Sequence, residues 1–303
     1  MSKHVGKGHI FLHRLKFGIS AFIVLELIIF VVVLLSGKNF AVLNPKGFIA
    51  SAQSNVILLS AAILFTIAIP TLVILYFVAW KYRETNTHAE YDPQENHGKM
   101  FDFGIWAIPS FFMLLMAFVM IPATHRLDPR QQISSYNKPL TIQVIAMRWK
   151  WVFLYPDQNI ATVNFVQIPT DTPVEFELSA DESPMSSFWI PNLGGQLYAM
   201  TGHVNTLHLL ADKPGDYAGS TAELTGAGFS GMKFVARASS QDNFDSWVNE
   251  AKNSPSALTS EEYAHLLKPS EHNAATLYAK TDPELFSTML AKYAGSHDHG
   301  MHE

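Results

Sequence analysis

Residues 221–232 read TAELTGAGFSGM, and what the second half of the chain is depends on how this stretch is read. Thr221, Glu223, Thr225, Phe229 and Met232 are spaced along a glycine-bearing loop in the outline of a metal site. Carboxylate and thioether remain at two of the five positions. The other three positions hold two hydroxyls and a phenyl ring, none of which holds a soft metal ion. The sequence around the loop tells which fold carries such an outline.

The chain has 303 residues, 48% of them hydrophobic and 16% charged. Its mean hydropathy is +0.11, too apolar for an ordinary soluble domain of this size. Cysteine is absent, which excludes disulfides, thiolate metal sites, a cysteine nucleophile and a cysteine-borne lipid anchor together. Residues 1–122 carry 9 Lys/Arg and 6 Asp/Glu, whereas residues 123–303 carry 12 and 20. The acidic second part argues against a nucleic-acid partner.

Two runs, residues 56–79 and 104–123, contain no charged side chain and are long enough to cross a bilayer. Pro70 and Pro109 interrupt them and leave the carbonyls of Thr66 and Ile105 without their usual donors, which membrane helices tolerate. An earlier segment, residues 18–35, follows a basic start with Lys3, Lys7, Arg14 and Lys16. It fits either a signal peptide or a retained third helix. Its 18 residues exceed the usual signal core of about 7 to 15, and no A-x-A-like site follows. Glu26 within it costs a few kcal/mol unless a neighbouring helix shields it. The expectation is retention, with neither a lipid nor a new N-terminus near Lys38. The basic start and the Trp80-Lys81-Tyr82-Arg83 end of the next run place both on the cytoplasmic side, so everything after Ala123 lies outside.

Beyond a polar linker the pattern becomes alternation. LTIQVIAM (residues 140–147) and PVEFELSA (173–180) place apolar side chains at every second position, as half-buried strands do. TLHLL (206–210) and MKFVARA (232–238) read as further strands, and proline and glycine at 190–195 punctuate a small β-sandwich. FDSWVNEAK (244–252), SEEYAHLLK (260–268) and ELFSTMLAKY (284–293) read as helices. The organisation expected is a signal-like or transmembrane segment at 1–37, a two-helix hairpin at 55–123 and a sandwich at 137–240. A helical arm at 241–295 and a His-rich tail at 296–303 complete it. His297, His299 and His302 make the tail a weak metal binder at most. His203 and His208 lack cysteine partners, and ordinary structural roles are expected of them.

The loop spacing is that of Cys-x-Glu-x-Cys-x-x-x-His-x-x-Met, which resembles the dinuclear copper loop of subunit II of haem-copper cytochrome c oxidases. The family's other histidine opens a His-Ser-Phe-x-x-Pro stretch, similar to SSFWIP (186–191) with Ser186 in the histidine place. MRWKWVFLYP (147–156), WKYR and FDFGIWAIP (101–109) also resemble segments of that subunit. Together with PGDYAG (214–219), GFSGMKF (228–234) and the helical arm, the chain is identified as similar to subunit II of bo-type ubiquinol oxidases. The resemblance covers most of the chain.

This resemblance implies a membrane α-helical hairpin, a cupredoxin-like sandwich without copper and a short helical C-terminal arm. It implies a non-redox subunit of a proton-translocating ubiquinol:oxygen oxidoreductase in the bacterial inner membrane, with its C-terminal domain periplasmic. The haems and copper are expected in the large subunit I, which binds ubiquinol. Smaller membrane subunits and lipid are further partners, and cytochrome c is not one. Ser186, Thr221, Glu223, Thr225, Phe229 and Met232 are then vestigial copper-site positions. Trp149, Trp151, Phe153 and Tyr155 form an aromatic patch, read as core and interface packing in preference to electron uptake. Asp102 stands where the family has an acid at a proton pathway, so it is a proton-uptake candidate and equally a helix-start carboxylate. Leu35-Ser36-Gly37-Lys38 departs from the lipidated Leu-Ser-Gly-Cys of that group. The rival readings are a copper-bearing cytochrome c oxidase subunit and a free-standing membrane-tethered sandwich.

Overall fold

The computed structural model describes residues 40–87, 98–133 and 138–294. The first apolar segment with Glu26, most of the loop between the two hairpin helices, and the His-rich tail lie outside the described residues. Residues 40–44 belong to a separate small unit, a turn closed by Asn44 N–H on the Phe40 carbonyl at 2.9 Å. The main unit begins at Pro45.

Helix α1 (Phe48–Lys81) and helix α2 (Lys99–Arg126) form the hairpin. Both are long and apolar enough to cross a membrane. Their lipid-like residues, among them Leu64, Leu72, Phe111 and Phe118, are exposed within the chain. A soluble protein does not leave so large an apolar surface uncovered, and this is a membrane protein. Pro70, Pro109 and Pro122 lie inside the helices without ending them. Thr66 and Thr71 donate their hydroxyls back to the carbonyls of Ala62 and Ile67, each at 2.8 Å, around Pro70.

Helix α1 has 34 residues, about 51 Å at 1.5 Å per residue, longer than the hydrocarbon core of about 30 Å. That leaves length for its first turns to extend beyond the core. They meet the sandwich: Ala50 N–H donates to Leu193 O at 3.1 Å, and Ala50 and Ser54 are buried. Just before them, Lys46 N–H donates to Asn192 O at 2.8 Å and Lys46 O accepts from Asp212 N–H at 2.9 Å. Gly47 is required by close approach, since a Cβ there would lie 2.4 Å from Leu210 O. The other end of the hairpin attaches to the same corner, where His208 N–H donates to Pro129 O at 3.1 Å.

The sandwich has two sheets. The first runs β11 (Thr276–Tyr278), β3 (Ile160–Val163), β2 (Lys150–Tyr155), β1 (Leu140–Met147), β5 (Val174–Ala180), β8 (Asn205–Leu209). The second runs β4 (Phe165–Pro169), β10 (Lys233–Ser239), β9 (Gly215–Thr221), β6 (Ser186–Trp189), β7 (Leu197–Ala199). Ile142, Val144, Trp151, Phe153, Phe176, Phe188 and Phe234 fill the space between them.

Strand β2 is buried at all six positions because its other face is covered too. Helices α3 (Gln241–Lys252), α4 (Ser260–Leu267) and α5 (Leu285–Ala294) follow the second sheet. Tyr263, Leu285, Phe286 and Met289 pack on Ile145, Met147, Val152 and Leu154, on the outer side of the first sheet. Ser240 and Thr259 cap α3 and α4 by accepting N–H bonds from Asn243 and Glu262, which sets where each helix starts.

Candidate functional site

The loop of residues 221–232 joins β9 to β10 across a short 3-10 turn, Phe229–Gly231. Thr221 N–H donates to Met232 O at 3.3 Å, which closes the loop at its base. The Thr221 hydroxyl oxygen accepts from Ser187 N–H at 3.2 Å. Thr225 directs its buried hydroxyl at the Met232 sulfur, 3.9 Å away. Ser186 is buried and donates to Pro184 O at 3.1 Å.

Thr221, Thr225, Met232 and the Ser186–Ser187 segment thus converge, with Phe229 half-buried beside them. Glu223 turns outward and accepts the Tyr198 hydroxyl at 3.0 Å. That hydrogen bond, and then the carboxylate's charge, raises the Tyr198 phenol above its usual range.

This donor set does not fit a dinuclear copper centre. The hydroxyls of Thr221, Thr225 and Ser186 are hard, neutral donors committed to local hydrogen bonds, and the one soft atom, the Met232 sulfur, already faces Thr225. Copper of this kind needs thiolate and imidazole.

The loop is organised instead around Trp149. Arg148 and Trp149 form a two-residue turn between β1 and β2, with Trp149 at φ 65°. A bulky residue in the left-handed region costs about 1 to 3 kcal/mol and persists only where its surroundings hold it. Here the indole N–H donates to Thr225 O at 3.2 Å. The ring lies so close to the loop that a Cβ on Gly228 would come within 2.4 Å of it, and Gly226 takes φ 109° beside it.

The rest of the aromatic patch lies inside the sandwich. Trp151, Phe153 and Tyr155 are fully buried. Trp151 and Phe153 sit edge-on or tilted to Phe188 and Phe234, at centroid distances of 5.2 to 6.2 Å. The Tyr155 hydroxyl donates to Gln167 O and accepts from Gln167 N–H, both at 2.9 Å, and burial pushes its pKa up.

Two buried charged side chains that the sequence reading passed over tie the arm to the sheet. Lys150 Nζ donates to Leu266 O at 2.7 Å and Lys268 O at 2.9 Å, at the C-terminal end of α4; burial lowers its pKa. Asp181 accepts from the hydroxyls of Tyr263 at 2.7 Å and Tyr293 at 2.6 Å, and from Lys292 Nζ at 3.1 Å. Burial, then the hydrogen bond to Asp181, raises the Tyr263 phenol. Tyr278, which donates to Glu262 at 2.9 Å, is pushed up to about 12, first by burial. The available signal was the lysine between Trp149 and Trp151, in a strand that is otherwise apolar.

Asp102 is exposed in the first turn of α2. It lies 24 residues before Arg126, about 36 Å along the helix, so it is not part of the loop site.

Comparison with known proteins gives two family matches. The profile described as "Cytochrome C oxidase subunit II, periplasmic domain" covers residues 158–239, and "COX Aromatic Rich Motif" covers residues 252–297. The chain is 43% identical to cytochrome bo(3) ubiquinol oxidase subunit 2 of Pseudomonas putida, over 86% of this chain and 83% of that one. It is 42% identical to ubiquinol oxidase subunit 2 of Acetobacter aceti, over 86% and 85%. To quinol oxidase subunit 2 of Bacillus anthracis it is 35% identical, over 77% and 80%. At this identity and coverage, and with a cupredoxin-like sandwich behind a membrane hairpin, the chain belongs to the subunit II family of the haem-copper oxidases, in its ubiquinol oxidase group.

Proposed function

We propose that this chain is the membrane-anchored external cap of a terminal quinol oxidase in a bacterial inner membrane, and that it carries no electron relay. The observation that carries this reading is the loop of residues 221–232. Its metal-type positions hold hydroxyls and a phenyl ring, and the indole of Trp149 packs against Gly226 and Gly228 and bonds the Thr225 carbonyl. A relay in the external domain serves a donor that arrives from the aqueous side. Ubiquinol is a lipid-soluble donor that reaches a large haem-bearing subunit within the bilayer, so the relay is dispensable while the fold is retained for packing and assembly.

The hairpin supports the same reading. Its apolar surface is uncovered within the chain on nearly every side, which suits helices that lie against a larger membrane subunit on one side and lipid on the other. Both outer ends of the hairpin are bonded to one corner of the sandwich. The domain is thereby held over the complex as a rigid lid. Haems and copper belong to the large subunit, further membrane subunits complete the assembly, and oxygen reduction to water with proton pumping is the activity of the whole. Asp102, at the cytoplasmic mouth of α2, is positioned to collect protons for the large subunit.

Affinity purification of the intact chain from its membrane tests the assignment. Recovery with a haem-bearing subunit and quinol-dependent oxygen uptake is the expected result. Recovery as a free chain without any haem-bearing partner would support a membrane-tethered binding domain instead.

A further inference from the structure

A cavity of about 380 Å³ opens where the hairpin meets the sandwich, between the first turn of α1, the last residue of α2 and the linker that follows it. Phe48, Ile49, Ile133 and Leu210 make its apolar walls, and Arg126, Asp128 and Asp212 are its charged groups. Arg126 is exposed, and its guanidinium forms no ion pair among the described residues. One oxygen of Asp128 accepts from Arg130 N–H at 3.0 Å. Burial, then the Asp171 carboxylate, raises the Asp212 carboxyl against the pull of Lys213. The cavity thus offers a cation without an ion-pair partner, and a carboxylate that a second cation would relieve.

The depth of this cavity follows from the helices that lead to it. The charge-free run of residues 104–123 has 20 residues, about 30 Å of helix, which matches the hydrocarbon core of about 30 Å. Arg126 stands three residues beyond it, about 4.5 Å further. A bilayer of about 40 to 45 Å leaves about 5 to 7 Å for each headgroup layer, so Arg126 lies at the level of lipid phosphates on the sandwich side. Ser60 meets Met120 at 3.7 Å, so the start of α1 stands about 9 Å further from the core than Arg126. Asp212, whose N–H donates to Lys46 O just before α1, lies on that aqueous side. Cation inward and carboxylate outward is the complement of a zwitterionic headgroup, with its phosphate inward and its amine outward.

We propose that this cavity binds the headgroup of a phospholipid carrying a primary amine, of the phosphatidylethanolamine class, from the leaflet on the sandwich side. The phosphate pairs with Arg126, whose planar fork matches it bidentately. The ammonium pairs with Asp212 and the second oxygen of Asp128. One cation and two carboxylates give the cavity a net negative charge, which disfavours an anionic headgroup and suits a zwitterion. A primary ammonium donates three hydrogen bonds to these oxygens, whereas a trimethylated one donates none. The apolar walls lower the local dielectric and strengthen both contacts. Bound lipid fastens the start of α1, the exit of α2 and the sandwich corner together at the membrane surface.

The test uses the full chain, purified in detergent with the partners it retains and stripped of lipid. It is titrated with dioleoyl phosphatidylethanolamine, phosphatidylcholine or phosphatidylglycerol, and native mass spectrometry counts the bound lipid. The parent is expected to bind an ethanolamine lipid that Arg126→Gln binds about tenfold or more weakly, the loss of a charge-assisted bond. Asp212→Asn should keep the phosphate contact and lose the preference for ethanolamine over choline. Added ethanolamine lipid should raise the melting temperature of the parent and not that of Arg126→Gln, while both melt alike without lipid. Equal binding of the ethanolamine lipid by the parent and both variants would overturn the proposal, as would a parent that prefers the glycerol lipid.

Discussion

The Trp149 indole N–H donates to the Thr225 carbonyl at 3.2 Å, across 76 residues of sequence, and this bond joins the two-residue β1–β2 turn to the loop of metal-type spacing. Trp149→Ala removes the ring and the bond but keeps the strained backbone. Destabilisation of about 2 to 3 kcal/mol is expected, below the 3 to 5 typical of a fully buried tryptophan. Gly228→Ala should cost about 1 to 3 kcal/mol by overpacking, because its new methyl meets the indole. Hydrogen exchange should report both losses first at residues 222–231. Unchanged protection there in both variants would mean that the tryptophan does not organise the loop.

Restoring the ligands tests the relationship in the other direction. The set Ser186→His, Thr221→Cys, Thr225→Cys and Phe229→His places soft donors on backbone positions that already converge through the Ser187–Thr221 and Thr221–Met232 bonds. The variant in the full complex is expected to bind copper with a thiolate-to-copper visible band. A folded, assembled variant that takes up no copper would show that the loop has moved too far towards Trp149 to hold a metal.

The arm depends on two buried charged groups. Lys150→Met leaves the carbonyls of Leu266 and Lys268 without their donor, at a cost of about 2 kcal/mol. Arm opening should rise roughly thirtyfold, seen as faster hydrogen exchange or proteolysis in residues 258–294. Asp181→Asn weakens three charge-assisted bonds at once, to Tyr263, Tyr293 and Lys292, and should act in the same direction. The core of the sandwich should keep its protection in both.

Much of this architecture is legible in the sequence, and the gaps have physical causes. Charge-free runs mark the hairpin, but the extension of α1 back to Phe48 is not visible, because residues 48–55 follow the sandwich corner they dock on and not the bilayer. Alternation marks β1 and β5, whose outward positions Thr141, Gln143, Glu175 and Glu177 are polar. Strand β2 gives no alternation, since the arm buries its second face. The loop spacing survives in Thr221, Glu223, Thr225, Phe229 and Met232, whereas the role of Trp149 depends on a positive φ and a bond across 76 residues, which no local pattern encodes. Lys150 and Asp181 give no local signal of burial, because it is the arm packed over them that covers them.

Asp102→Asn separates proton uptake from a helix-start role. It keeps the shape of the first turn of α2 and removes the titrating carboxylate. Because the carboxylate is exposed beside the helix N-terminus, its loss should cost only about 0.3 to 1 kcal/mol of stability. Slower oxygen reduction with normal haem content is the expected outcome. Unchanged turnover across the pH range would leave Asp102 as a helix-start residue only.

The central claim is that electrons reach this oxidase without passing through the external sandwich. Oxygen uptake by the purified complex, measured with ubiquinol and with reduced cytochrome c as alternative donors, tests it most directly. The account predicts rapid uptake with ubiquinol and none above background with cytochrome c, whatever the ionic strength. Cytochrome c oxidation at a rate comparable to that with quinol would contradict it.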